Sequence, residues 1–356
     1  MIIALAASSV PSPAIALESA PNNSRFKVKF DSGAIVSLQS ADDSFHTEFV
    51  MPNRRLGDAF IRYRKKGGEW KSADSSALKD SGVYSISDDG EKCSATYQIT
   101  NGDSAALELN IGFSAEKSSV IWTLKLENKT GEPLEIGDFA VSLPMNSASR
   151  RGSSWVLKHS FISGDGSFLF WMRPDSARPY LVMMPRAGTH LEYWDARNRN
   201  YRVFIHSAAA GEEAKTHGTN WRQPNTSVTL SPSGTSGDAC AYGFQFHWAN
   251  DYDGVRETLF DNGGIDVQVV PGMTIPSDLT ARFALRTKQK IHSVGAEFPE
   301  ATEIKSLGTN GDYRLFQVKF SRLGENRLEV HYGDKRSMFL EFFSAEPIET
   351  LIKKRG

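Results

Sequence analysis

Through most of this chain apolar and polar residues alternate with a period of two, which confines it to antiparallel sheets with one buried face. Phe26, Val28 and Phe30 alternate with Lys27 and Lys29, and Asp31-Ser32-Gly33 turns the chain into Ile35-Val36-Ser37-Leu38. Cys93, Ala95, Tyr97 and Ile99 share one strand face, and Asn101-Gly102, a strong hairpin signal, leads into Leu107, Leu109, Ile111 and Phe113. Val120, Trp122, Leu124 and Leu126 make the next strand, closed by Asn128-Lys129-Thr130-Gly131. Helical periodicity is nearly absent. The best candidate is Asp251 to Asn262, with Asp251 or Asp253 as cap, Val255 and Leu259 on one face and Gly263-Gly264 as stop. With so little helix in 356 residues, the expected fold is all-β, a large antiparallel sandwich in which two facing sheets bury each other's apolar sides.

The pattern also divides the chain. Residues 24–287 read as the large sandwich. Pro271 to Pro276 interrupts its pairing, and Leu279 to Leu285 is its last strand. After Lys288-Gln289-Lys290, short strands at Phe316-Val318-Phe320, Leu328-Val330-Tyr332 and Met338-Leu340-Phe342 suggest a small β-module over residues 288–345. From Glu346 to Gly356 the chain reads as the opening turns of a helix, with Pro347 in the first turn and acid before base. No internal repeat emerges.

At the front, residues 1–16 read as a signal peptide, because Met1 to Leu17 is mostly apolar and small and Ala14-Ile15-Ala16 has the small-x-small form of a cleavage site. The cationic stretch that usually precedes such a segment is missing. A poorly ordered N-terminal tail is the other reading. Export implies a secreted or periplasmic protein, and no later stretch reaches the ~18 apolar residues of a membrane helix. Three glycosylation sequons, at Asn22, Asn128 and Asn225, are too short a pattern to carry weight. Cys93 and Cys240 match no metal or redox spacing, so one disulfide and two separate thiols both remain open. Lys plus Arg number 41 against 42 Asp plus Glu, a balance with no electrostatic drive toward nucleic acid or an anionic membrane. The basic run Arg62-Tyr63-Arg64-Lys65-Lys66 before Gly67-Gly68 reads as a solvated hairpin tip.

Chemistry concentrates between Trp155 and Trp248, which holds five of the seven tryptophans among His, Arg and acids. Gly164 and Gly166 around Asp165 permit a tight loop that presents a carboxylate, and Arg173 closes the aromatic run Phe168 to Trp171. Thr189 to Asp195 alternates, so His190, Glu192 and Trp194 would share a strand face. Sugar binding needs flat apolar faces for stacking and planar polar groups for hydroxyls. Trp171, Tyr180, Tyr193 and Trp194 beside Asp165, Arg173, Glu192, His159 and His190 supply both, although such aromatics serve equally as core. His190 and Glu192 at i, i+2 have metal-ligand placement, but no third ligand has diagnostic spacing, and the pair reads as a solvated polar strand face. Asp165, Asp175, Glu192 and Asp195 are the carboxylates available for glycosidase-type acid–base work. No phosphate loop, H-E-x-x-H or G-x-S-x-G occurs, and neither cofactor nor metal is expected.

Five blocks in order carry a family resemblance: Asp42-Asp43-Ser44-Phe45, Asn53 to Asp58, His159 to Pro174, Pro271-Gly272-Met273, and Glu346 to Arg355. From about Phe26 to Arg355 the chain resembles an uncharacterised family, a domain of unknown function, of large secreted bacterial glycosidase-like proteins. The resemblance implies a β-supersandwich of the galactose-mutarotase type, a smaller β-region and then an (α/α) toroid, which usually carries the catalytic acid or base. It also implies that this sequence ends where the toroid should begin, and no catalytic residue carries over. The expectation is the N-terminal, substrate-facing part of a secreted carbohydrate-active enzyme, hydrolase- or lyase-like. It would act on a poly- or oligosaccharide and would be incomplete without its helical partner domain. The alternatives are a non-catalytic carbohydrate-binding or scaffold protein and, more remotely, an epimerase-like site using His159 or His190 with Glu192.

Overall fold

The alternation becomes cross-strand register. The strands Ser104–Ala115, Ser119–Asn128 and Ala239–Ala249 pair so that Phe113 stands opposite Trp122, and Trp122 opposite Phe244. Ring centroids are 5.4 Å apart at both steps. Such aromatic pairs stabilise a sheet beyond the area they bury. This row crosses the middle of an eight-stranded antiparallel sheet running in the order Leu157–Phe161, Phe168–Met172, Tyr180–Pro185, Ala239–Ala249, Ser119–Asn128, Ser104–Ala115, Lys92–Asn101 and Val83–Ile86. The computed structural model from which this fold is read describes residues 25–87, 89–102, 104–147, 156–195 and 201–355. The signal-peptide reading at 1–16, the Asn22 sequon and Trp155 lie outside them.

Across the core stands a six-stranded sheet in the order Tyr193–Asp195, Arg202–Ser207, Leu134–Ser142, Ala59–Lys65 and Lys71–Asp74, with Val228–Leu230 also paired to Leu134–Ser142. One apolar cluster joins the inner faces of both sheets and the hairpin Phe26–Asp31/Ala34–Ser40. The expected all-β sandwich is therefore the fold.

Among the described residues three α-helices accompany the strands: α1 (Ala208–Thr216), α2 (Tyr252–Asp261) and α3 (Ile348–Arg355). The Asp251 carboxylate caps α2 by accepting from the Gly254 N–H, and Gly263 at φ +75° ends it, as the sequence predicts. α1 was not anticipated. Its run Ala208 to Ala214 has no apolar stripe, and Ser207 makes no side-chain cap. It docks on the six-stranded sheet, where Glu212 and Glu213 take up Arg64 and Arg62. Arg62 also pairs with the buried Asp138, and Arg64 with Glu135. The run thus leads into an exposed hairpin turn at Lys66-Gly67, as expected, while its two arginines are neutralised on the sheet.

A second sandwich follows. Its sheets run Asp266–Val270, Ala281–Arg286, Tyr313–Phe320, Thr302–Asn310, and Thr274–Pro276, Arg336–Ala345, Gly324–Tyr332, Ile291–Ala296. Its core begins at Ile265, so the break expected at residues 287–288 falls inside this module. Strand Ala281–Arg286 reads equally well as the end of one sheet or the start of another, because alternation does not identify a strand's partner. Cys93 and Cys240 are both free thiols, pushed up to about 11 chiefly by burial.

α2 lies against the outer face of the large sheet, over Phe170, Tyr180, Val182 and Met184. The strands Phe168–Met172 and Tyr180–Pro185 are consequently covered on both sides. Trp171 is wholly buried in the main core and Tyr180 is 5% exposed, which removes both as stacking platforms for a sugar. Trp171→Ala is expected to lower unfolding free energy by about 3–5 kcal/mol. Urea denaturation of the variant reads this, and a loss under ~1 kcal/mol would contradict the core assignment.

Candidate functional site

The site assembles around a bridge between two loops. Gly164 and Leu191 exchange backbone hydrogen bonds of 3.0 and 3.2 Å, which sets Asp165 opposite His190. His190 Nε2 lies 3.5 Å from Glu192 Oε1. Three of the eight sequence candidates, Asp165, His190 and Glu192, therefore come together. Glu192 is not on a solvated face. It is fully buried, while a third of the His190 side chain reaches solvent.

A buried carboxylate must be fully hydrogen-bonded to be tolerated. Glu192 Oε2 accepts from the Ser207 hydroxyl at 2.7 Å, and Oε1 from the Thr226 hydroxyl at 2.5 Å and the Thr226 N–H at 3.0 Å. Since the Thr226 hydroxyl donates to Glu192, its oxygen accepts from His206 Nδ1–H at 2.7 Å. That leaves His206 Nε2 to accept from Tyr242 at 2.6 Å. The tautomer of His206 follows from this chain of donors. Tyr242 belongs to the eight-stranded sheet and His206 to the six-stranded one, so the relay crosses the sandwich.

The electrostatics agree. Burial opposes ionisation of Glu192, but the hydrogen bonds from His190, Ser207 and Thr226 outweigh it and hold the carboxyl below its ordinary range. The hydrogen bond to Glu192, against burial and with the charges of Glu192 and Asp165, raises His190. Burial pushes His206 down to about 4, against the pull of Glu192. Perturbed groups clustered in this way mark functional sites. The nearest donor atoms of His190, Glu192 and His206 lie within 4.8 Å of one another, as a cation site would require. Yet both His206 nitrogens and both Glu192 oxygens are occupied by hydroxyl partners, and the Thr226 oxygen bridges the two where an ion would sit. The residues fit a proton relay rather than a metal.

Beside the bridge, the two sandwiches enclose a polar cavity of about 210 Å³ lined by Asp165, Arg186, Thr189, Gln245, Asn262 and Arg336, among others. The remaining candidates lie elsewhere. His159 is exposed and stacks on Phe170 at 4.6 Å, with Tyr252 6.0 Å from the same ring. Arg173 pairs with Asp175 and covers Phe45. Trp194 lies under the Lys158 ammonium at 3.8 Å. Sequence reasoning missed His206, Ser207, Thr226, Tyr242, Arg186 and Arg336. A polar pair at the end of Val203-Phe204-Ile205 was a usable signal for His206 and Ser207, whereas Thr226 showed only as part of a sequon.

Comparison with known proteins matches this architecture. The chain belongs to a family of unknown function (DUF5695), whose model matches residues 39–356. No curated protein sequence matches significantly. Among solved structures it is similar to a polysaccharide lyase, with TM-score 0.69 and 17% identity, covering 94% of this chain and 48% of that one. It thus spans about half the length of that enzyme. Weaker likenesses are to a galactose mutarotase related enzyme from Lactobacillus acidophilus (TM-score 0.38, 12% identity, 67% and 99% covered) and to the GH36 α-galactosidase AgaA from Geobacillus stearothermophilus (TM-score 0.38, 10% identity, 70% and 42% covered).

Removing Glu192 strips the relay of its charge and takes the carboxylate acceptor from Thr226 and from the buried Ser207, whose hydroxyl keeps only the Pro224 carbonyl at 3.1 Å. Glu192→Ala is expected to cost about 3–5 kcal/mol in urea unfolding, and a variant as stable as the parent would contradict this account. The histidines act in opposite senses with pH. The His190 contribution is fully present below the ordinary value of 6.5 and fades as pH rises through its raised one. His206 is kept neutral in the fold while the unfolded chain takes up the proton, so stability falls as pH drops from 6.5 toward about 4, by on the order of 2–3 kcal/mol. His206→Gln should flatten that fall and His190→Gln should remove the alkaline loss. Unfolding curves across both ranges read the two effects, and parental slopes in both variants would refute the assignment.

Proposed function

We propose that this chain is the substrate-facing β-half of a secreted carbohydrate-active enzyme, lyase- or hydrolase-like, whose acid–base step is completed by a helical partner domain. The observation that carries this reading is the likeness to a polysaccharide lyase, which takes in 94% of this chain but only 48% of that enzyme. A polar cavity at the junction of the two sandwiches, next to a buried acid–histidine relay, supports it, because ligands settle where modules meet and where ionisable groups are perturbed. The substrate is an oligo- or polysaccharide.

The test has two arms. Reading the gene beyond the Gly356 codon should show a long open frame encoding paired amphipathic helices. The protein extended by that frame should turn over a polysaccharide that the present chain binds without cleaving. A stop codon with no helical domain encoded nearby, together with glycan binding by this chain, would replace the reading with a carbohydrate-binding module acting alone. Recovery of the full protein only from the cytoplasm would contradict the secreted part of the proposal.

A further inference from the structure

Two free sheet edges meet at Lys158. Leu157–Phe161 is the outermost strand of the eight-stranded sheet, and Tyr193–Asp195 is the outermost of the six-stranded one. Lys158 stands opposite Trp171 in register, and Trp171 belongs to the main core. Cross-strand partners share a face, so Lys158 points inward while its neighbour His159, opposite Phe170, points out. The lysine Nζ ends 3.8 Å from the centre of the Trp194 ring, and that ring packs against the core.

What the amine lacks is a counter-ion. Among the described residues no carboxylate pairs with Lys158 and no acceptor takes a hydrogen bond from it. Lys129, also partly covered, shows the ordinary solution: it pairs with Glu127 and Glu108, and the hydrogen bond to Glu127 raises it. Burial alone acts on Lys158 and holds it below the usual lysine range. An inward lysine on an edge strand often guards against edge-to-edge pairing. That task needs a solvated ammonium, whereas this one is half-buried against an indole with nothing to neutralise it. A desolvated lysine that has shed its proton is a nucleophile, and a carbonyl carbon is the electrophile it takes up in water.

We propose that Lys158 is a Schiff-base lysine that captures small aldehydes against the face of Trp194. The amine lone pair forms a bond to the carbonyl carbon, and the carbonyl oxygen picks up the proton that the nitrogen sheds. A second proton, from solvent, lets that oxygen leave as water while the nitrogen lone pair closes the C=N bond. Neither oxidant nor reductant is needed. The iminium product keeps its positive charge at the indole face, which attracts a cation. The site stands apart from the junctional cavity and from the carbohydrate reading above.

Reductive trapping tests it. The full chain is incubated with acetaldehyde and sodium cyanoborohydride at pH 7, and ethylation of each lysine is followed by peptide mass spectrometry. Only about one exposed lysine amine in 2,500 is uncharged at that pH, so Lys158 should react about tenfold or more faster than the exposed Lys305 and Lys319. In concentrated guanidinium chloride, where burial is gone, the three rates should converge. Equal rates at the three lysines of the folded chain would overturn the assignment. An advantage that survives unfolding would overturn it as well, because it would belong to the local sequence rather than to the sheet edges. Fast acetylation of Lys158 by acetic anhydride with slow ethylation would do the same, showing an amine that is free but closed to carbonyl capture.

Discussion

The buried charge of Glu192 is the constraint around which one end of the large sandwich is organised. An ionised carboxylate taken out of water has to be repaid by donors, and the fold draws them from three separate segments. Ser207 comes from the end of a strand, Thr226 from the loop before Val228–Leu230, and His190 from the loop that bridges to Gly164. Through Thr226 the same carboxylate orients His206, and through His206 it reaches Tyr242 on the opposite sheet. Close apolar packing already resists sliding of the sheets, and directional bonds add a fixed register to it. This directional chain helps set their relative position and keeps His190, one of its partly open members, aimed beside Asp165.

How the modules meet follows from α2. That helix closes the outer face of the large sheet over Phe170, Val182 and Met184, and its C-terminal end passes directly into Ile265, the first residue of the second core. A sheet face that would otherwise be wet becomes interior. The junction this creates is polar on its remaining open side, where Arg186, Gln245 and Arg336 face a cavity. The ionic partnerships Arg256–Asp266 and Arg286–Glu257 tie α2 to the first strands of the small sandwich.

Strand positions and the sandwich class were legible because period-two alternation is a direct physical consequence of a sheet with one dry face. Phe113 and Trp122 read correctly for that reason. The same logic failed at Phe168 to Trp171 and at Tyr180, where α2 covers the second face and continuous apolar runs replace alternation. The module boundary was illegible since pairing partners leave no trace in a single strand. Of the site, Asp165, His190 and Glu192 were found by their unusual company in the sequence. His206, Thr226 and Tyr242 were not, because a buried relay is a property of three-dimensional closure and each member alone resembles an ordinary polar residue. Arg186 and Arg336 were missed for a related reason, lying 150 positions apart.

The loop Ser163 to Gly166 docks on the small sandwich almost entirely through main chain. Asp165 exchanges hydrogen bonds with the Ser337 backbone, the Ser163 hydroxyl holds both the N–H and the carbonyl of Phe339, and a Cβ at Gly164 would stand 2.7 Å from the Ser337 oxygen. On one side of the seam, residue identity matters. On the other, any residue presenting the same backbone serves as well. Residue 337 can therefore change without disturbing these bonds, whereas Phe339, buried under Arg327, is held by packing of its own. The angle between the two sandwiches is thus held in part by main-chain geometry, which a change of side chain at 337 leaves in place.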